Sequence, residues 1–180
     1  MDPENTFFTR RTAQLMRLDY VCLLALSLCA MVAQWSELEL WHFVAAIAWQ
    51  DLLGYYPAAA VYYWPRPSGT VRRLPRAFYV VYNLTHGVPL NLAVLSVWWA
   101  ANSGWEPAML AIPIHLCIDR GVFGRYYKSF CIAFEPVRHD LFREFSRQLD
   151  ERPVWGEGGQ EPARMARPLV EVRAPSPQDG

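Results

Sequence analysis

The sequence predicts an all-α membrane protein, a bundle of four membrane-spanning helices. Three observations predict it: four long apolar stretches, aromatic residues at their ends, and basic residues confined to one side. A hydrocarbon core of about 30 Å needs roughly 17–25 helical residues to cross it. The stretches with this length are 18–35, 41–64, 77–101 and 107–127.

Aromatic and charged residues both mark the ends of these stretches. Tryptophan and tyrosine prefer the two membrane interfaces, where their rings are half in water. A soluble domain intersperses charge along its length, whereas this chain collects charge between and beyond the stretches. The zero net charge gives no basic field that would indicate nucleic acid as a partner. The aromatic residues at the ends are Trp35, Trp41, Trp64, Trp98, Trp99, Trp105, Tyr126 and Tyr127.

The basic residues predict the orientation. Every Lys and Arg except Arg120 precedes the first stretch, lies in the loop 65–76, or lies at or beyond the end of the fourth stretch, where Arg125 is the first. The loops 36–40 and 102–106 contain neither Lys nor Arg. Because cytoplasmic loops are enriched in basic residues, we expect a multi-pass protein of the inner (cytoplasmic) membrane with both termini in the cytoplasm. A cleaved signal peptide is the alternative for the first stretch, but that stretch is long and no A-x-A site closes it.

The flanking segments differ from the stretches. Residues 1–17 are predicted to be a cytoplasmic N-terminus, and 128–150 to contain a cytoplasmic interfacial helix. In that helix Val137, Leu141, Phe145 and Leu149 repeat every four residues. Residues 151–180 are rich in Pro and Gly without periodicity, which predicts a disordered tail.

Stretches two, three and four contain polar residues that a simple anchor would not tolerate. Ionisable groups in hydrocarbon are expensive, so they face the bundle interior, pair with one another and indicate function. At 1.5 Å per helical residue, the Asp and His residues are expected at overlapping depths in the cytoplasmic half of the bilayer. These polar residues are Gln50, Asp51, Asn83, His86, His115, Asp119 and Arg120.

Each of these three stretches also contains a proline: Pro57, Pro89 and Pro113. Proline kinks a helix and frees the carbonyl four residues earlier. Such breaks are tolerated in membranes where neighbours or water satisfy the freed group. The prolines and the polar residues together predict a polar cavity that opens towards the cytoplasm.

Three motifs carry a resemblance to a known family. They are "DLLGY" (Asp51–Tyr55), "YNLTH" (Tyr82–His86) and "HLCIDRGVFGRYYK" (His115–Lys128). This order resembles a family of small bacterial four-span membrane proteins, a domain of unknown function, with the pattern D-L-x-x-L-G-Y, Y-N-x-x-H and H-x-x-x-D-R. The resemblance covers about 40–128 and departs from the family in the Leu–Gly spacing after Asp51 and in the Gly/Tyr/Lys segment. It implies a four-helix bundle and no particular activity.

The polar residues support a membrane-embedded enzyme that acts on a lipophilic substrate. Two His and two carboxylates suit Zn, Mn or Fe(II), so Asp51, His86, His115 and Asp119 are the candidate catalytic residues and metal ligands. The reaction would be metal-assisted hydrolysis or oxidation. The candidate substrate-binding residues are Asn83, Arg120, Tyr55 and Tyr82.

Other functions remain open at this stage. The same Asp and His residues suit acid–base isomerisation or cyclisation of a lipid or isoprenoid without a metal. They also suit a small proton-coupled carrier, which with four spans would need to form a homo-oligomer. A non-catalytic scaffold or assembly subunit, whose polar residues only join the helices, is the structural alternative.

Overall fold

The computed structural model describes residues 10–64, 74–130, 133–135 and 140–150. The chain divides into two compact units, Met1–Glu135 and Pro136–Gly180. All regular structure in the described residues is helical, without strands, which confirms the all-α prediction. The predictions for the basic loop over 65–73, for the start of the interfacial helix and for the tail 151–180 fall outside the described residues.

Helix α1 (Arg10–Ala33) begins earlier than the first apolar stretch and presents one face to the rest of its unit. Its partly buried residues recur at helical spacing and include Tyr20, Leu24, Ser27 and Met31. No residue of α1 is fully buried, and its remaining faces expose leucines and valines. In water this exposed apolar surface would be costly. A short 3₁₀ turn, Trp35–Glu37, follows.

The second stretch is broken next to its proline. It forms α2 (Leu40–Gly54) and α3 (Tyr56–Tyr63), and Pro57 lies in the first turn of α3. This placement follows from proline chemistry, because a ring nitrogen in the first turn leaves no intrahelical hydrogen bond unmade.

The third stretch is broken in the same way. It forms α4 (Arg76–Thr85) and α5 (Val88–Ala101), which are bent by 54° at the break. Pro89 cannot donate to the carbonyl of Thr85, four residues earlier. The Asn91 side chain replaces that donor, with its Nδ2 2.8 Å from the Thr85 carbonyl oxygen. The break is therefore satisfied internally, as a helix in an apolar environment requires.

The fourth stretch changes its helical type twice. A 3₁₀ turn (Pro107–Leu110) leads into α6 (Ala111–Cys117), and a π-helical segment (Ile118–Phe123) follows. Pro113 lies in the first turn of α6, directly after the change from the 3₁₀ turn, and the helix continues past it. Most of α6 is buried, and it packs against α1 and α2.

Side-chain contacts join the ends of the helices. The Arg17 Nε near the start of α1 donates to the Gly121 carbonyl at 3.0 Å. At the other end of α1, the Trp105 Nε1 donates to the Gln34 Oε1 at 2.8 Å. The start of α1 therefore lies by the π segment, and its end lies by the loop that precedes the fourth stretch.

Some of the described helices are long and apolar enough to cross a membrane. Helix α1 alone is long and apolar enough to cross a membrane, by length and composition. Helices α4 and α5 meet the same criterion only as one bent pair. The other two predicted spans are divided into shorter helical pieces.

The second unit is described only by α7 (Asp140–Asp150). Leu141 and Phe145 of the predicted apolar stripe lie on this helix. The Arg147 guanidinium donates to Glu144 at 2.6 Å and holds the pKa of that carboxyl at about 2. The described part of the helix is amphipathic, and its position at the membrane interface stays a prediction.

Candidate metal centre

Four predicted site residues from four different elements lie together in the first unit. The Nε2 of His86 lies 3.3 Å from Asp51 Oδ1 and 3.5 Å from Asp119 Oδ2. The Nε2 of His115 lies 3.9 Å from Asp51 Oδ2 and 3.8 Å from Asp119 Oδ2. We call Asp51, His86, His115 and Asp119 the Asp/His cluster.

The orientation of His115 is fixed by the backbone of α2. Its Nδ1 lies 2.7 Å from the Ile47 carbonyl oxygen. Because a carbonyl only accepts, we assign the proton to Nδ1, which leaves a lone pair on Nε2. That Nε2 is buried and has no hydrogen-bond partner among the described residues. The unpaired nitrogen points at the two carboxylates.

His86 is oriented in a similar way at the end of α4. Its Nδ1 lies 3.0 Å from the Tyr82 carbonyl oxygen, which favours the proton on Nδ1. The imidazole stacks on the Tyr82 ring, with 4.1 Å between centroids. Gly54 makes this approach possible, since a Cβ there would lie 3.1 Å from the His86 Cε1 and would clash with Thr85.

The two carboxylates differ in exposure. Asp51, at the end of α2, has about a third of its side chain exposed, at 34%, whereas that of Asp119 is 13% exposed. Asp119 lies in the π segment, which ends at Gly124 in the left-handed conformation with φ +66°. The Arg125 N–H then donates to the Asp119 carbonyl at 2.7 Å, so both ends of the π segment are anchored.

Three residues of the cluster could hold a divalent metal ion. One ligand atom each from Asp51, His86 and His115 lies within 4.8 Å of the other two. A tetrahedral ion with bonds of about 2.1 Å has ligand–ligand edges of about 3.4 Å, close to the distances between 3.3 and 3.9 Å here. Metal-binding imidazoles also usually donate their second nitrogen to a carbonyl or carboxylate. Both imidazoles of the cluster do so.

Two of the four predicted substrate-binding residues are engaged in hydrogen bonds that join segments of the first unit. Asn83 accepts from the Lys128 N–H at 2.7 Å and donates to the Lys128 carbonyl at 2.9 Å, which fixes the chain after the π segment. Arg120 donates to the Tyr20 hydroxyl at 2.8 Å and to the His86 carbonyl at 3.0 Å. The bond to the His86 carbonyl helps to hold the backbone at His86 in place.

The two predicted tyrosines occupy different positions. Tyr82 is buried and touches the cluster directly by stacking on His86. Tyr55 lies farther out, where its hydroxyl donates to Glu135 at 3.1 Å.

Sequence reasoning missed two polar contacts. Gln50 is fully buried and donates to the Asn91 Oδ1 at 2.6 Å. At the other end of α2, Glu106 accepts from Trp98 at 3.0 Å and from Asn102, and contacts His42. Glu106 stands in a loop and His42 follows an interfacial tryptophan, so neither position carried a signal in the sequence.

In comparisons with known proteins, no family model, curated protein or solved structure matches this chain. The resemblance to the four-span family stays a prediction, and the argument for function rests on the geometry of the cluster.

Proposed function

We propose that this protein is a metal-dependent enzyme of the inner membrane that acts on a lipophilic substrate. Asp51, His86 and His115 bind a divalent Zn, Mn or Fe ion, and Asp119 lies beside the metal as the acid–base group. The proposal rests on one observation: the His115 imidazole, with its Nδ1 bonded to the Ile47 carbonyl, turns a buried and unpaired Nε2 towards the same two carboxylates that lie 3.3 and 3.5 Å from the His86 Nε2.

A bound cation explains this arrangement better than protons do. Lone pairs on nitrogen and carboxylate oxygens repel one another unless a positive charge lies between them. A protonated His115 would place an N–H on Nε2, yet the nearest carboxylate oxygens are 3.8 and 3.9 Å away, too far for a hydrogen bond. A metal ion satisfies all the ligand atoms at once.

The four-span arrangement with both ends in the cytoplasm is part of the proposal. It is supported by the large apolar side chains that the first unit exposes, including Leu18, Leu26 and Val32 on α1. It is also supported by exposed tryptophans at Trp35, Trp41, Trp64, Trp99 and Trp105. A lipid environment removes the cost of this apolar exposure, and interfacial rings suit tryptophan.

A lipophilic substrate is supported by the surface next to the cluster. A shallow apolar groove follows the outer face of α2 and includes Leu40, Val44, Ala48 and Leu52. Its last lining residue, Leu52, directly follows Asp51 in the chain, and Asp51 is the most exposed member of the cluster. An acyl or isoprenoid chain in this groove would bring its polar end to the metal. There the metal would activate a bound water, and Asp119 would take up the proton.

The first test is the metal content of the detergent-purified full chain, measured by elemental mass spectrometry. The wild type would be compared with His86→Ala and His115→Ala, with His42→Ala as a histidine control outside the cluster. We expect close to one Zn, Mn or Fe per chain in the wild type and in His42→Ala, and near-background metal in the two cluster variants.

Size-exclusion profiles and helical circular dichroism would show whether each variant is folded. A wild type without metal, or a folded His115→Ala variant that keeps it, would overturn the proposal in favour of acid–base chemistry or simple helix packing.

A further inference from the structure

Two cations follow the Asp/His cluster in the chain, and among the described residues neither side chain is hydrogen-bonded to a member of it. Arg125 directly follows the left-handed Gly124, and its N–H is bonded to the carbonyl of Asp119. Its exposed guanidinium lies 5.1 Å from the Phe123 ring centroid. Among the described residues it has no side-chain hydrogen bond or ion pair, although its charge acts on both Asp51 and Asp119.

Lys128 is the second cation and is half-buried. Its ammonium lies 4.8 Å from the centroid of Tyr82, the ring that stacks on His86. It also lies 3.9 Å from the Phe134 ring and donates to the Phe134 carbonyl. One carbonyl bond leaves other ammonium hydrogens available for an anion. The two hydrogen bonds between the Asn83 side chain and the Lys128 backbone fix the position of Lys128.

The charges of this region favour a singly charged anion once a metal is bound. Asp51 and Asp119 balance a divalent ion, which leaves the charges of Arg125 and Lys128. Glu135 opposes part of this charge, since its carboxylate acts on Lys128. Guanidinium and ammonium groups are the usual partners of phosphate in proteins.

We propose that Arg125 and Lys128 bind the phosphate of an anionic lipid and hold its head group beside the cluster, with the hydrocarbon chain in the groove along α2. This inference rests on the proposed metal centre, since without the metal the two carboxylates would repel a phosphate. It deepens the proposed function by naming the substrate class: a lipid that bears a phosphate near its reacting bond.

The test is native mass spectrometry of the detergent-purified full chain titrated with phosphatidic acid or with diacylglycerol, which has the same chains and no phosphate. The variant is Arg125→Gln, and Arg143→Gln, an exposed arginine of α7, is the control. We expect wild type and Arg143→Gln to bind phosphatidic acid about tenfold more tightly than Arg125→Gln does. Diacylglycerol should bind all three proteins equally weakly.

Equal affinity of Arg125→Gln and wild type for phosphatidic acid, or equal affinity of the wild type for the two lipids, would overturn the proposal. Displacement of phosphatidic acid by inorganic phosphate at comparable concentration would overturn the lipid as the source of the anion. Metal content measured on the same samples separates the two hypotheses. A metal-loaded protein without phosphate preference refutes only the lipid head group, and a metal-free protein refutes the metal centre.

Discussion

The first unit contains two clusters of histidine and carboxylate that differ in their hydrogen bonding. At one, Glu106 is 9% exposed and accepts hydrogen bonds from Trp98 and Asn102 while it contacts His42. At the other, the buried Nε2 of His115 has no hydrogen-bond partner among the described residues, although two carboxylates lie nearby.

The difference shows which cluster is structural. Around Glu106, donors surround a single acceptor, so the network is complete and joins the loop to α2 and α5. In the Asp/His cluster, the His86 Nε2 lies within hydrogen-bond distance of Asp51, at 3.3 Å. The His115 Nε2 meets only carboxylate oxygens at 3.8 and 3.9 Å, and a bound cation would complete its contacts. A buried polar group without a partner costs about 1–3 kcal/mol, and such groups in a native structure indicate a ligand or a function.

The largest expected effect separates the clusters by metal affinity. Asp51→Asn removes a charged ligand, and we expect metal affinity to fall roughly 100-fold, because groups that only orient ligands already contribute 10–100-fold. Chelator competition on the purified protein measures it. Glu106→Gln is the matched carboxylate-to-amide control and should leave the affinity unchanged; an equal loss in both variants would mean that the clusters do not differ.

The second prediction concerns stability at the complete network. Glu106→Gln puts an amide NH₂ among donors, so we expect the free energy of unfolding to fall by about 1–3 kcal/mol. Denaturant titration in mixed micelles, followed by circular dichroism, provides the measurement. A variant as stable as the wild type would show that Glu106 does not hold the loop.

The third prediction concerns another carboxylate-to-amide change, for which we expect the free energy of unfolding to rise rather than fall. In the metal-free protein, Asp119→Asn supplies a donor that faces the unpaired Nε2 of His115, so we expect unfolding to cost about 0.5–1.5 kcal/mol more than in the wild type. The same micelle titration in the presence of a chelator tests it. Destabilisation would instead indicate that Asp119 already pairs with protonated imidazoles.

The smallest effect is expected at Gln50, whose buried Oε1 has no partner among the described residues. Gln50→Leu removes one hydrogen bond to Asn91 and one unpaired acceptor, so the two terms offset and stability should change by less than about 1 kcal/mol. A loss of several kcal/mol would reveal a bound water or ion at Gln50. Asn91→Leu, which also frees the Thr85 carbonyl, is the more damaging comparison.

Much of the candidate site could be predicted from the depth of each residue in the membrane, counted along its helix. A rise of 1.5 Å per helical residue predicts overlapping depths for Asp51, His86, His115 and Asp119. His115 and Asp119 are four residues apart, so an ideal helix presents both on one face. The breaks near Pro57 and Pro89 were also predictable, because proline inside a helix lacks the N–H for one backbone hydrogen bond and its ring clashes with the preceding turn. The contacts of Arg120 and Asn83 could not be predicted, since depth does not reveal which way a side chain turns around the helix axis.

The sequence by itself determined the helical class, the apolar stretches, two of their breaks and the membership of the cluster. These depend on composition, on spacing and on the geometry of proline, which are local properties. Only the tertiary structure decided that Ile47 offers its carbonyl to His115, that a π segment presents Asp119, and that Glu106 rather than solvent meets His42. Each of these is a contact between segments distant in the chain or a change of helical register, and packing between neighbouring helices sets both.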